Sequence, residues 1–159
     1  MPSEISGSYL FTDPCNILTS YMNPEIKNRL SGLPPMLLTG ITVVAILWLT
    51  LSPRPFGDMH TPFFPGADKI VHGLMFGFLV AMLALDNMRK QKFRPLPISI
   101  LMVYALASSL FGVAIEYLQE WLQTGRAFEF TDMVADSTGA FAAAVAWYFF
   151  QTKLTEKND

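Results

Sequence analysis

Four long apolar stretches constrain the fold of this chain more than any other feature, and they run from 36 to 51, 70 to 85, 98 to 122 and 133 to 150. Uninterrupted apolar runs of about this length are typical of membrane-spanning helices. The chain is 52% hydrophobic and 15% charged, whereas soluble domains carry about 25% charged residues. We therefore predict an all-α membrane protein with four transmembrane helices packed as a small bundle.

The sequence around these stretches predicts one membrane domain with two tails. Residues 1–33 are predicted to form an N-terminal cytoplasmic tail, with a short interfacial helix between Asn23-Pro24 and Ser31-Gly32. Residues 34–150 form the four-helix membrane domain, and residues 151–159 form a cytoplasmic C-terminal tail. No cleavable signal peptide is expected, because no basic start followed by an apolar core is present.

The distribution of basic residues predicts the orientation of the bundle. Four spans place both termini and the loop after the second span on one side, which carries eight of the eleven lysines and arginines. The other side carries Arg54, Lys69 and Arg126. Because basic residues accumulate in cytoplasmic loops, we predict a multi-pass membrane protein with both termini in the cytoplasm.

The segment 112–139 contains polar residues that membrane helices normally exclude. Glu116 lies within the third apolar stretch, with Gln119 one turn later, Arg126 in the connection, and Asp132 and Asp136 at the start of the fourth stretch. An ionised side chain in the hydrocarbon core costs roughly 2.5–3.5 kcal/mol on insertion scales unless it is paired or hydrated. These residues therefore predict a polar site between helices.

The second stretch adds polar residues at the same predicted depth. Asp68 and His72 are spaced i, i+4 on one helix face, and Lys69 lies between them. Asp132 and Asp136 repeat this spacing at the outer start of the fourth helix. Three of the four spans thus place polar groups near the outer face, and we predict that these groups converge there.

This ordered set of residues resembles the VanZ-like family of small multi-span bacterial membrane proteins. The resemblance rests on Asp68-Lys69-x-x-His72-x-x-x-Phe76, Glu116-x-x-Gln119, Arg126 and Asp132-x-x-x-Asp136-x-x-Gly139, and it covers about residues 36–150. The family more often has Asn at position 136 and Tyr at position 76. The resemblance implies a link to low-level resistance to teicoplanin-type glycopeptides at the cell envelope, without an established reaction.

The chemistry of these side chains supports two interpretations. In one, His72, Glu116 and Asp132 are catalytic, with His72 as general base, while Asp68, Lys69, Gln119, Arg126 and Asp136 bind the substrate. Arg126 suits bidentate binding of a phosphate or carboxylate. In the other interpretation, the same residues pair with one another and hold the helices together.

The sequence predicts neither a metal nor a cofactor. Carboxylate and imidazole groups can ligate a divalent cation, but their spacing matches no dedicated metal motif. The single cysteine, Cys15, cannot form an internal disulfide, and the net charge of −2 gives no indication of a nucleic-acid partner.

Three functions agree with these observations. The chain can bind, shield or modify a lipid-linked cell-wall precursor or a glycopeptide in the bilayer, or it can be a membrane-embedded enzyme that acts on such a lipid. The absence of an obvious activated Ser or Cys argues against acyl-enzyme chemistry. A small transporter is the third function, although four short spans would need an oligomer to form a path, and the sequence leaves the oligomeric state open.

Overall fold

The computed structural model describes residues 24–52, 66–122 and 129–156. These residues form five α-helices, and the described ranges contain no β-strand. The helices are α1 (Pro24–Ser31), α2 (Leu37–Leu51), α3 (Ala67–Lys90), α4 (Ile98–Trp121) and α5 (Phe130–Glu156). The all-α prediction is confirmed for the described chain.

Proline and glycine set the helix boundaries. α1 coincides with the short helix predicted after Pro24, and its position at a membrane surface stays a prediction. α2 ends at Leu51, immediately before Ser52-Pro53, because the residue before a proline disfavours helical backbone. α3 begins after Gly66, whose φ of 87° is accessible to glycine without strain.

A tight connection of seven residues joins α3 to α4. Lys92 and Phe93 both have positive φ, at 55° and 63°, and the Phe93 backbone N–H donates to the carbonyl of Met88 at 2.6 Å. Pro97 precedes α4 in extended conformation and so separates the two helices. The chain reverses direction here, and α4 runs antiparallel to α3.

Contacts between helices establish an antiparallel arrangement with two polar ends. Near the start of α2, Thr39 bonds to Asp86 of α3, and near its end the carbonyl of Thr50 accepts a hydrogen bond from Gln119 of α4. At the opposite end of the bundle from Gln119, Gln151 of α5 bonds to the backbone of Leu96. The helices therefore alternate in direction.

Glycines allow α3 and α5 to pack with their backbones in direct contact. A Cβ placed on Gly139 would overlap the carbonyl oxygen of Gly73, and one on Gly77 would lie 3.1 Å from the carbonyl of Gly139. Gly73, Gly77 and Ala81 recur every four residues in the sequence, and such a small-residue stripe lets a neighbouring helix approach closely. The contact determines which residues of α3 and α5 face each other at the polar end.

The membrane character of the fold appears in its exposed apolar surface. α3, α4 and α5 each contain a segment of 24 residues that is long and apolar enough to cross a membrane. Leu74, Phe78, Val103 and Leu110 are more than half exposed on these helices, as lipid-facing side chains would be. α2 has 15 residues, about 22 Å, and is the shorter apolar helix of the group.

Asp86 and Arg89 form a buried ion pair at the end of the bundle where α3 ends. Asp86 is 1% exposed and accepts hydrogen bonds from the backbone N–H and hydroxyl of Thr39, at 2.9 and 2.8 Å. Arg89 pairs with Asp86 at 2.5 Å and donates to the carbonyl of Leu33 at 2.8 Å. This buried ion pair anchors α2 and the segment before it to α3.

Candidate functional site

The polar residues predicted to converge come from three helix ends. Asp68, Lys69 and His72 lie in the first two turns of α3, Glu116 lies in the last two turns of α4, and Asp132 and Asp136 lie in the first two turns of α5. Side chains of these helices contact one another across the bundle end. We refer to the following seven residues as the polar cluster: Asp68, Lys69, His72, Glu116, Glu129, Asp132 and Asp136.

Lys69 is the cation at the solvent-facing side of the cluster. Its Nζ lies 2.7 Å from Glu129, 2.7 Å from Asp132 and 2.9 Å from Asp68. The hydrogen bond from Lys69, followed by its positive charge, lowers the pKa of Glu129 from the ordinary value of 4.5. Lys69 thereby connects α3 to the first turn of α5 and to the residue before it.

His72 lies beneath Lys69 and is paired through Nδ1. This atom is 3.0 Å from Oδ1 of Asp136, and both side chains are buried. Because an ionised carboxylate only accepts hydrogen bonds, a neutral His72 then carries its proton on Nδ1. Nε2 faces Oδ2 of Asp132 at 3.8 Å, which is too long for a hydrogen bond.

Gly112 provides the space that Asp136 occupies. A Cβ at Gly112 would lie 2.7 Å from Oδ2 of Asp136 and 3.2 Å from the ring of Phe76. Phe76 is fully buried and packs on Phe111 with ring centroids 6.1 Å apart. Phe76, the aromatic residue in the ordered set of motif residues, thus forms a wall of the pocket that holds the Asp136 carboxylate.

Glu116 is the most deeply buried carboxylate that α4 contributes. Its side chain is 1% exposed, and its Oε2 accepts a hydrogen bond from the backbone N–H of Glu129 at 3.3 Å. Its Oε1 has no hydrogen-bond partner within the described part of the chain. A buried carboxylate oxygen without a donor is unfavourable, and a proton, a water, a ligand or a cation can satisfy it.

Three further residues were predicted to belong to the site: Gln119, Asp68 and Arg126. Gln119 is buried and donates to the carbonyl of Thr50 at 2.8 Å, so its amide joins α4 to α2. Asp68 is 56% exposed at the rim and contacts Lys69. Arg126 lies outside the described residues, and its role in binding stays a prediction.

Glu129 is a member of the cluster to which sequence reasoning assigned no site role. It lies three residues before Asp132, immediately ahead of α5, and shares Lys69 with it. An acidic residue at the start of a helix is common because of the helix dipole, so its position alone did not distinguish it. Its contact with Lys69 across 60 residues depends on how α3 and α5 pack.

Two groups within the cluster have the residue types and separations of cation ligands. One contains His72, Glu116 and Asp132, and the other contains Asp68, Glu129 and Asp132, each with ligand atoms within 4.8 Å of one another. Lys69 pairs with all three members of the second group. The ammonium group therefore already supplies the positive charge there, whereas in the first group Lys69 contacts Asp132 but neither His72 nor Glu116.

Comparison with known proteins places the chain in a family. The model of the family described as VanZ/LLP1 matches residues 16–151. Neither a search of curated proteins nor a search of solved structures found a match. The family match covers α2, α3 and α4 completely and all but the last turn of α5.

Proposed function

This chain belongs to the VanZ/LLP1 family, and from that membership and the polar cluster we propose that it binds or modifies a lipid-linked cell-wall component at the bacterial cytoplasmic membrane. Teicoplanin-type glycopeptides act on such components, so this activity lowers susceptibility to them. Two observations support this function: the motif residues that resemble the family, and the helices that are long and apolar enough to cross a membrane.

The observation that carries the proposal is the partly unsatisfied polar cluster in an otherwise apolar bundle. Ionisable groups within membrane helices are costly and mark functional sites by default. A purely structural cluster would pair both oxygens of every buried carboxylate, as Thr39 and Arg89 do for Asp86 at the other end. Glu116 Oε1 and His72 Nε2 instead have no described hydrogen-bond partner.

The chemistry of the cluster favours ligands that donate hydrogen bonds. The cluster contains five carboxylates and one lysine, and three of these carboxylates already contact Lys69. Ionised carboxylates accept hydrogen bonds from hydroxyl and ammonium groups, which sugars and peptide stems both supply. Arg126 is our candidate for the contact with a phosphate or carboxylate of the same component.

The proposed location requires the cluster to face the outside of the membrane. We propose four spans, with α2 as the first, and both termini in the cytoplasm. α2 contacts α3 near Asp86 and α4 near Gln119, so it extends along most of the bundle despite its 15 residues. The basic loop after α3 supports a cytoplasmic position for the Asp86 end.

A membrane-embedded enzyme is the second candidate, and the pairing of His72 favours it. A histidine whose Nδ1 is held by a buried carboxylate has the tautomer that a general base needs. Here Asp136 would orient the ring, Nε2 of His72 would accept a proton, and Glu116 or Asp132 would act as the acid partner. The substrate would be the same lipid or cell-wall precursor.

A susceptibility assay tests the proposed function. The chain would be expressed in a glycopeptide-sensitive Gram-positive host as wild type, His72→Gln, Glu116→Gln and Arg126→Ala, at matched membrane levels. Glu120→Gln is the control, because Glu120 is an exposed carboxylate one turn from Glu116 on the same helix. Wild type and the control should raise the inhibitory concentration of teicoplanin, and Glu116→Gln and Arg126→Ala should return it to that of the empty vector.

The His72 variant separates binding from catalysis. Glutamine still forms hydrogen bonds but cannot act as a base near neutral pH, so a binding protein keeps its protection and an enzyme loses it. Equal protection by all variants would mean that the cluster only holds the helices together. No protection by wild type would remove the link to glycopeptides.

A further inference from the structure

We propose that His72, Glu116 and Asp132 form a binding site for one divalent transition-metal ion, with Asp136 as the group that orients His72. This inference deepens the proposed function, since it concerns the same cluster. It departs from the sequence-based prediction of no metal. The ligands come from three different helices, so their spacing along the chain cannot form a recognisable metal motif.

The orientation of His72 is the first argument. Its Nδ1 is bonded to Asp136 at 3.0 Å, which leaves the lone pair of Nε2 pointing away from that carboxylate. Histidines that ligate metals commonly donate their other ring N–H to a carboxylate in this way. When His72 is neutral, the lone pair of Nε2 and Asp132 Oδ2, 3.8 Å apart, repel each other, and a metal ion or a proton between them removes this repulsion.

The unpartnered carboxylate oxygen is the second, independent argument. Glu116 is 1% exposed, its Oε1 has no hydrogen-bond partner in the described ranges, and the residue offers an oxygen within 4.8 Å of ligand atoms of His72 and Asp132. In Asp132, Oδ1 is engaged by Lys69, while Oδ2 is the oxygen that approaches His72. Each of the three residues thus offers a ligand atom to one space, and Glu116 Oε1 and Asp132 Oδ2 have no hydrogen-bond donor among the described residues.

The dimensions of this space suit a small dication. Bonds of about 2.0–2.2 Å from a metal to nitrogen and oxygen ligands place neighbouring ligand atoms about 3.3 Å apart. The 3.8 Å between His72 Nε2 and Asp132 Oδ2 requires only a small inward movement. One imidazole and two carboxylates favour Zn²⁺ or Mn²⁺ over Mg²⁺, which prefers an all-oxygen set.

A dication would also change what the cluster can bind. The two carboxylates of the site would be neutralised, and a metal with three protein ligands keeps an open position for water or an anionic oxygen. The cluster, which by itself repels anions, would then accept a phosphate oxygen of a lipid-linked component.

The test is direct metal binding by the full-length protein purified in detergent. After treatment with a chelator, Zn²⁺ binding is measured by calorimetry and elemental analysis, and Co²⁺ binding is measured by its visible absorption. Wild type should bind one ion per chain. Glu116→Gln and His72→Gln should each weaken binding at least about tenfold, the scale seen when metal-site residues are altered. Glu120→Gln should bind as wild type does.

Several results would overturn the inference. They are no Zn²⁺ or Co²⁺ binding by wild type, equal binding by wild type and Glu116→Gln, or an equal loss in Glu120→Gln. Folding of the variants is checked by their thermal unfolding in chelator, since Glu116→Gln keeps an oxygen that can accept the Glu129 N–H. Metal binding without glycopeptide protection would contradict the proposed function alone, and protection without metal binding would contradict this inference alone.

Discussion

At the scale of single residues, Lys69 shows how one cation organises several carboxylates. Its three partners come from its own helix and from the start of α5, at 2.7–2.9 Å. Each partly exposed pair contributes little by itself, typically up to about 1 kcal/mol. Their sum aligns the first turns of α3 and α5, and so determines the position of His72 below them.

The Glu129–Lys69 pair predicts a pH-dependent part of the stability. The pKa of Glu129 is lowered in the folded protein, so its contribution is present above the ordinary value near 4.5 and is lost as pH falls through the folded pKa. We expect Glu129→Gln to lower the free energy of unfolding at pH 7 by no more than about 1 kcal/mol, because the carboxylate is half exposed. Thermal unfolding in detergent measures this difference.

The difference between wild type and Glu129→Gln should disappear once the pH lies well below the folded pKa, where Glu129 is protonated. Glu120→Gln, on an exposed carboxylate without a described ion pair, should match wild type throughout the pH range. An effect of Glu129→Gln that stayed constant down to low pH would show that it does not arise from the ion pair.

At the scale of elements, the crossing of α3 and α5 determines which polar residues of the two helices face each other in the cluster. The two backbones meet at Gly73, the residue directly after His72, and at Gly139, about one helical turn after Asp136. Any side chain added at this crossing must move one helix away from the other. Since the Lys69–Asp132 and His72–Asp136 pairs span the same two helices, the crossing and the cluster are coupled.

Gly139→Ala tests this coupling. The new methyl group would overlap the carbonyl of Gly73, and we expect it to lower the free energy of unfolding by about 1–3 kcal/mol, as overpacking of a filled interior does. Gly40→Ala on α2 is the matched control, because its Cβ would meet no atom within 4 Å. That substitution should be neutral or stabilising by up to about 1 kcal/mol.

Thermal unfolding of both variants in the same detergent compares them directly. If Gly139→Ala unfolded at the wild-type temperature, the close backbone contact would not exist in the protein. If Gly40→Ala were equally destabilising, the loss would reflect a general sensitivity of these helices to substitution.

At the scale of the whole molecule, the bundle has two polar ends that differ in how their buried carboxylates are paired. At the end containing Asp86, the buried carboxylate receives bonds from Thr39 and Arg89. At the end containing the cluster, Glu116 and His72 retain unengaged atoms. We attribute this asymmetry to function at one end and to structural anchoring at the other.

The proposed topology predicts the accessibility of introduced cysteines. In a Cys15→Ser background, Ser3→Cys, Gln91→Cys and Asn158→Cys should react with a membrane-impermeant maleimide only after the membrane is permeabilised. Glu129→Cys should react in intact protoplasts, because Glu129 is exposed at the cluster end. If α2 did not span the membrane, Ser3→Cys and Asn158→Cys would react from opposite sides.

The sequence by itself determined the helical class, the membrane character and the family. Apolar runs and their proline and glycine boundaries are local signals, so they predicted α3 and α4 closely. The ordered motif residues predicted the family that the comparison confirmed. Local signals also identified Gly73, Gly77 and Ala81, because a small-residue stripe has helical periodicity.

Only the tertiary structure decided which of these residues contact one another. Sequence reasoning grouped His72 with Glu116 and Asp132 as catalytic residues, and the structure pairs the Nδ1 of His72 with Asp136. The tertiary structure also brings Glu129 to Lys69 and leaves Oε1 of Glu116 without a hydrogen-bond partner among the described residues. The physical reason is that the register between two helices is set by side-chain packing along their whole contact. The helical periodicity of a sequence specifies which face of a helix is buried. It does not specify which residue of the neighbouring helix lies opposite that face.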